Sequence, residues 1–337
     1  MFAAVTKVAQ SVLYFLRVTA VLIVLALLLG GSQSRADWPE HPITIIVPFP
    51  PGGATDLISR LLAVELAQRF GEKVGVENLA GDVGNIGLRA AALARPDGYT
   101  LLVTTNAALI NLMINPKLSA TAYDTPRDFA PIAYLGSTPN VIVTGQSSGI
   151  GSIAEFIAKA KANPGKLSCA SPGVGSSSGM AVDLLRLRAG IDIAHIAFDG
   201  SDLAMRAAIS GAADAASIGI GGMLDHIRSG ELKALVQTGG ERWFDLPEVP
   251  TMLEAGVPDA VLETSFMFAA PAGTPVLVVN KLTIAVQAIL QRQDIQARMH
   301  GAGVQLQYEA PENLHERIMR EIPVWREIVE RIREKKS

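Results

Sequence analysis

The sequence predicts an α/β protein of two domains, each a mostly parallel sheet flanked by helices. Three observations predict it. Short apolar runs alternate with amphipathic stretches, giving a β-α-β-α-β order. A second α/β series repeats that order in the other half of the chain. The length of 337 residues, with 49% apolar and 18% charged side chains, is enough to bury two cores.

The elements follow in order. Ile43 to Val47 is a β-branched run that predicts a strand, and Pro48-Phe49-Pro50-Pro51-Gly52-Gly53 ends it. Leu57, Ile58, Leu61, Leu62, Leu66 and Phe70 recur at helical spacing. Lys73 to Glu77 predicts a strand and Asn85 to Ala94 a helix, closed by the turn residues Arg95-Pro96-Asp97-Gly98. Leu101 to Thr105 is the next strand, with Asn106 placed to cap a following helix. In the second series, strands are predicted at Val141 to Thr144, Leu167 to Ala170, Ala194 to Phe198, Ala213 to Ser217 and Leu232 to Gln237. Helices lie between them at Ile153 to Lys161, Met180 to Arg188, Leu203 to Ile209 and Gly222 to Arg228. A strand over Glu263 to Ala270 precedes a helix that Pro271-Ala272-Gly273-Thr274-Pro275 opens and that runs to about Leu290. Pro311 to Lys336 is an amphipathic helix with Ile318, Ile322, Trp325, Ile328, Val329 and Ile332 on one side, and its charges are expected to form a solvated face.

The first 36 residues differ from the rest. They hold Lys7, Arg17 and Arg35, no acidic residue, and a Val18 to Gly30 run whose only polar member is Thr19. Ser34-Arg35-Ala36 supplies small residues at the −3 and −1 positions of a cleavage site. This is the pattern of a secretory signal peptide over residues 1–36; the alternative is a retained anchor, for which the apolar run is short against the roughly 20 residues a spanning helix needs. The chain has 29 Lys and Arg against 32 Asp and Glu, and loss of the three basic residues of this segment takes the net charge from −3 to −6. No basic block is interleaved with aromatics, which argues against a nucleic-acid partner. The single cysteine, Cys169, allows no internal disulfide and no cysteine-based metal site, and its apolar strand setting predicts core packing.

Five predicted strands end in Gly-, Ser- or Thr-containing turns that open a helix. They are Pro50 to Gly53, Thr104 to Asn106, Ser171 to Gly179, Phe198 to Ser201 and Ser217 to Gly222. In open α/β sheets, ligands bind beyond the carboxyl ends of the strands, where helix N-termini present unpaired N–H groups and partial positive charge. None of the five turns contains Lys, Arg or His. An anion there is held by amides, hydroxyls and water, which suits a carboxylate better than a phosphate ester. Asp56, in the first turn of its helix, either complements the helix dipole or caps the helix, or else orients N–H groups of the turn or an ordered water toward the ligand.

Other chemistries are weaker. Gly175-Ser176-Ser177-Ser178-Gly179 fits the G-x-S-x-G of a nucleophile elbow, with His300 or His315 and Asp245 or Asp259 later in the chain, so a secreted serine hydrolase using Ser177 is the alternative. Neither histidine follows a strand, and both are expected at the surface. Gly173-Val174-Gly175 lacks the third glycine and the acidic partner of a dinucleotide site, and no Walker lysine follows a Gly-rich turn. The five histidines form no zinc-binding pair, so neither a metal nor a cofactor is expected. His195, in the apolar run Ile193 to Ala197, is expected to be a satisfied core or interface histidine.

Specific segments of the mature chain resemble the Bug-type extracytoplasmic binding receptors of tripartite tricarboxylate transporters. They include Trp38-Pro39, Ile45-Ile46-Val47-Pro48-Phe49-Pro50-Pro51-Gly52-Gly53-Ala54-Thr55-Asp56, Val76-Glu77-Asn78, Gly84-Asn85-Ile86-Gly87 and Pro96-Asp97-Gly98-Tyr99. Further on come Asp128-Phe129-Ala130-Pro131-Ile132, Pro164-Gly165-Lys166-Leu167, Leu246-Pro247-Glu248-Val249-Pro250-Thr251, Glu254-Ala255-Gly256-Val257-Pro258 and Ala270-Pro271-Ala272-Gly273-Thr274-Pro275.

The resemblance implies a periplasmic, type II-like two-domain binding protein, non-catalytic and monomeric, with a ligand cleft between the domains. Domain 1 would comprise residues 37–138 plus 264–337 and domain 2 residues 139–263, with crossings near Ser137 to Asn140 and Glu263 to Phe266. The implied ligand is a small carboxylated solute, and the implied partners are the membrane permease subunits; a sensor kinase is a further possible partner. The implied site is Phe49, Pro51, Gly52, Gly53 and Asp56 on the first turn, Thr104, Thr105 and Asn106 on the second, and Ser171, Gly175, Ser176, Ser177, Phe198, Gly200 and Ser201 from domain 2. The chain departs from the family pattern at Gly179, where many relatives have histidine, and at Phe198-Asp199-Gly200, where many have Tyr-Lys-Gly. It also departs at Ile218 to Ile220, often a polar Asp-Asn pair, and at Leu79-Ala80-Gly81, often Arg-Pro-Gly. These changes make the far half of the cleft less polar and predict a carboxylate on an apolar or aromatic body over an amino-dicarboxylate.

Overall fold

The computed structural model describes residues 38–108 and 125–334. The predicted signal segment lies outside the described residues, as does most of the helix expected after Asn106. Of the N-terminal unit only residues 38–40 are described, with a cis peptide between Trp38 and Pro39. Every element below belongs to the unit from His41 onward.

Strand β1 (Ile43–Val47) is almost wholly buried, as a strand covered on both faces must be. It pairs in parallel with β2 (Val74–Asn78) and β3 (Thr100–Thr105). Helix α1 (Ala54–Phe70) connects β1 to β2, and α2 (Asn85–Ala92) connects β2 to β3. Ile58, Leu62 and Leu66 of α1 are buried. Leu88 and Ala91 of α2 pack on Ile46, Leu102 and Phe129.

After the short helix α3 (Thr125–Asp128) comes β4 (Phe129–Gly145), 17 residues long. Its first part pairs antiparallel with β9 (Glu263–Pro271), from Phe129↔Pro271 to Pro139↔Glu263. From Asn140 onward it pairs instead with β7 (Ala215–Gly219) and β8 (Leu232–Gln237). The register shifts between Pro131 and Ala133, Tyr134 and Gly136, and Ile142 and Val143. Such bulges bend and twist a strand, which is how one strand serves two sheets. The sequence reading found only Val141 to Thr144, because Pro131, Gly136 and Pro139 look like strand breakers. Two of them sit at the bulges.

The second half carries α4 (Ile153–Ala162), β5 (Ser168–Ser171), α5 (Ser177–Ala189), β6 (Ala194–Ala197), α6 (Ser201–Ser210) and α7 (Leu224–Arg228). β5 pairs in parallel with β6 and β7. The spatial order is β2-β1-β3-β9-β4-β7-β5-β6. The expected parallel pairing holds at both flanks. At the centre β4, β8 and β9 are antiparallel, so the sheets are mixed.

Three further helices and a strand complete the chain. α8 (Val276–Leu290) follows β9, and α9 (Gln293–Gly301) and β10 (Gln305–Glu309), both absent from the sequence reading, precede α10 (Pro311–Glu334). β10 pairs with β4 at Gln305↔Ser137. α10 reaches both cores. Leu314 packs with Tyr134 and Met267, while Trp325, Ile328 and Val329 pack with Ile142, Phe156 and Leu184. Its charged face is not simply solvated, because the Arg317 guanidinium lies 4.3 Å from the centre of the Tyr134 ring and is bonded to Glu309. Cys169 is buried in β5, and burial pushes its thiol pKa up, as expected of a core cysteine.

Candidate functional site

The turn after β1 is built by Asp56. Gly52 takes φ +92°, a conformation that favours glycine, and its N–H donates to Asp56 Oδ2 at 3.0 Å. Arg60 Nε donates to the same oxygen at 2.9 Å. Asn78 Nδ2, at the end of β2, donates to Asp56 Oδ1 and to the Phe49 carbonyl, both at 3.0 Å. Asp56 is only 3% exposed. Burial raises its pKa, but the hydrogen bonds from Arg60, Gly52 and Asn78 and the charge of Arg60 outweigh that effect and hold the carboxyl below the usual range. Asp56 therefore braces the turn from the first turn of α1, with the Gly52 N–H directed at its own carboxylate, which is the structural one of the two roles the sequence leaves open. Pro51, Gly52 and Gly53 are exposed and Phe49 is half-buried.

A carboxylate with a depressed native pKa stabilises the fold above its unfolded value of about 3.9, and the contribution disappears as pH falls through the native value. Asp56→Asn is expected to lower the melting temperature by about 2–4 °C at pH 7, with the difference closing below pH ~4. A pH series of thermal melts checks this.

The second turn is buried and tied to β9. The Asn106 side-chain amide donates to the Glu263 carbonyl at 2.8 Å, and its backbone N–H to the Ser265 carbonyl at 3.2 Å. Thr105 Oγ1 accepts the Ala107 N–H. Among the described residues, neither Thr104 Oγ1 nor Asn106 Oδ1 has a hydrogen-bond partner, although both side chains are buried. Buried polar atoms are normally paired, so these two oxygens are exceptions within one turn.

The Ser-rich turn meets the same strand from the other half of the chain. Ser177 opens α5, and its hydroxyl is bonded to that of Thr264. Ser178 Oγ donates to Asn140 Oδ1 at 2.7 Å. Ser176 caps α5 by accepting the Gly179 N–H at 3.0 Å, and Gly175 is buried beside it. The Phe198 N–H donates to the Ser171 carbonyl at 2.9 Å and the Gly200 N–H to that of Pro172 at 3.3 Å. Ser201 begins α6 and is exposed. Asn106 and Ser177 thus converge on Glu263–Ser265, which is paired with Ser137–Pro139 of β4. The Phe49–Gly53 turn is anchored instead to β2 through Asn78. Sequence reasoning missed Arg60, Asn140 and Thr264. Arg60 was findable at i+4 from Asp56; Asn140 and Thr264 act through long-range pairing that leaves no local pattern.

Among the described residues the hydrolase constellation is not assembled: Ser177 faces Thr264, His300 stacks on Phe244 with ring centres 3.2 Å apart, and Asp245 pairs with Arg228 at 3.1 Å, while the His315 side chain lies outside what is described. His300 is half-buried at the surface, against the exposed Phe244 ring. The turn at Gly221 packs so closely on Ala302 and Gly303 that a Cβ at Gly221 would overlap their backbone. Among the described residues no acidic, histidine or cysteine cluster suits a metal ion, and no helix is long and apolar enough to cross a membrane.

The family model described as tripartite tricarboxylate transporter family receptor matches residues 58–333. The chain belongs to that receptor family. It is 33% identical to BugT of Bordetella pertussis over 303 residues, covering 89% of this chain and 92% of BugT. Among solved structures, the receptor superposes on the periplasmic binding protein BugD with a TM-score of 0.77 at 31% identity, covering 87% of this chain and 98% of that one. MatC of Rhodopseudomonas palustris, solved with bound malate, gives 0.79 at 31%, covering 87% and 100%. Rpa4515 of R. palustris, solved with adipate, gives 0.80 at 27%, covering 87% and 98%. The α/β fold is thus that of periplasmic binding proteins, and the family is one of solute-binding receptors, not of enzymes.

Proposed function

We propose that this receptor captures a small carboxylated organic solute in the periplasm and delivers it to the membrane permease subunits of a tripartite tricarboxylate-type transporter. The observation that carries this reading is the convergence of Asn106 and Ser177, from the two halves of the chain, on Glu263–Ser265, beside the unpartnered Thr104 and Asn106 oxygens. The cleft lies between domain 1 (residues 37–138 and 264–337) and domain 2 (residues 139–263). The paired crossing Ser137↔Ser265 and Thr138↔Thr264 is its hinge. One carboxylate sits on the Phe49–Gly53 turn and the α1 N-terminus. Thr104, Thr105 and Asn106 add contacts, and the turns at Pro172–Ser177 and Phe198–Ser201 close over the ligand, while Ser171, with no exposed surface, supports its turn from below instead of touching the acid. MatC and Rpa4515, solved with malate and adipate, support a dicarboxylate-sized occupant. The receptor acts as a monomer, and closure requires that the acid bind the closed form better than the open one.

Ile218 and Ile220 pack into the core of the second half, so the preference for an acid with an unsubstituted or aromatic body rests on the half-buried Phe49 and Phe198 of the proposed site. In a thermal-shift panel of malate, adipate, benzoate, citrate, aspartate and glutamate, the largest shifts are expected with adipate or benzoate. Stabilisation by amino acids or citrate alone would contradict that preference, and no shift with any acid would contradict the function.

A further inference from the structure

Ser171 ends β5 with a side chain that has no exposed surface. Its Oγ lies 2.6 Å from Nε2 of His195 on the adjacent strand β6. Nδ1 of His195 lies 3.5 Å from Asp183 Oδ2 on α5, and Asp183 also pairs with Arg186 at 3.1 Å. Serine, histidine and carboxylate in that order are the parts of a nucleophilic triad. Here the serine is sealed from solvent, so no substrate reaches it.

The other face of Ser171 points to a different role. Its Oγ accepts the Gly173 N–H at 3.3 Å. The Gly173 carbonyl accepts the Ser176 hydroxyl at 2.7 Å, and Ser176 in turn accepts the Gly179 N–H. Asp183 is only an acceptor, so the Nδ1–H of His195 faces it and Nε2 is left to accept the Ser171 hydroxyl proton. Every donor then points one way, from Gly173 through Ser171 and His195 to Asp183. Without His195 the Ser171 hydroxyl has a second acceptor in reach, the Gly173 carbonyl at 3.4 Å, where it competes with Ser176.

We propose that Ser171, His195 and Asp183 form a positioning relay for the α5 N-terminus. His195 holds the Ser171 proton away from Gly173, and the Gly173 carbonyl is thereby kept for Ser176, which sets the Ser176–Ser178 turn. The effect of the relay on the ligand rests on the binding-site reading above; its effect on the turn does not.

Two isosteres separate the two ring nitrogens in the full chain. His195→Gln retains a polar atom near the Nε2 position, and His195→Asn retains one near Nδ1 only. Amide hydrogen exchange without ligand is expected to speed up about tenfold at Ser176 and Gly179 in His195→Asn, as for one lost hydrogen bond of about 1.4 kcal/mol. In His195→Gln it should stay near wild type, with β4 and β9 protection equal in both variants. Ser171→Ala, which removes the competing proton with little change of volume, should leave Ser176 and Gly179 near wild type and should restore them when added to His195→Asn. Unchanged protection of this turn in His195→Asn, equal loss in the Asn and Gln variants, or no recovery when Ser171→Ala is added to His195→Asn would overturn the relay. Calorimetry with adipate and malate adds the ligand arm, with affinity about tenfold weaker in His195→Asn and restored in His195→Gln. If wild type binds neither acid, the dicarboxylate reading fails while hydrogen exchange still decides the relay.

Discussion

Gly53→Val will leave the receptor folded and cost it at least about 100-fold in acid affinity, roughly 2.7 kcal/mol. Gly53 has φ −78° and ψ 169°, extended backbone that any residue adopts, and a Cβ built there meets no protein atom within 4 Å. The fold therefore loses only the difference between glycine and valine at a helix N-cap, on the order of 1 kcal/mol. The ligand loses more. A carboxylate seated on the α1 N-terminus must come within hydrogen-bond distance of the amides after Gly53, and two added methyl groups stand in that approach. Calorimetry beside a thermal melt reads both quantities. Unchanged affinity would remove the first turn from the site.

Gly179→Ala is expected to have the largest effect on stability, about 2–4 kcal/mol, together with loss of binding. A Cβ at Gly179 would overlap the Gly173 carbonyl oxygen and lie 3.1 Å from Ser171 Oγ. The first clash is with backbone, so no side-chain rotation relieves it. Either the α5 N-terminus moves or the Gly173 turn opens, and either change breaks the Ser176 cap. Denaturant titration should give a lower midpoint with an unchanged slope.

Much of this was legible in the sequence because it is local. The β-branched run Ile43–Val47, the helical spacing from Leu57 to Leu66, and the Gly- and Ser-containing turns fixed the order of elements. The family resemblance placed the site residues on those turns. What escaped reading is non-local. The first part of β4 is a strand because β9 and β10 flank it, despite Pro131 and Gly136. The roles of Asn140 and Thr264 arise where β4 and β9 pass beside Ser177 and Ser178, contacts spanning 38 and 87 positions of sequence. His195 read correctly as a satisfied buried histidine, but its partners Ser171 and Asp183 come from β5 and α5, and no spacing in the chain announces them.

The central claim is that helix N-termini and hydroxyls of two facing turns grip an acid group without a cationic side chain. A crystal structure of the receptor with adipate, or with whichever panel acid stabilises it most, tests this directly. The account predicts a carboxylate about 2.7–3.1 Å from backbone amides of the first turn, with Ser- or Thr-bearing turns of the other domain closed over the remainder. An acid bound elsewhere, or paired chiefly with arginine or lysine, would contradict it.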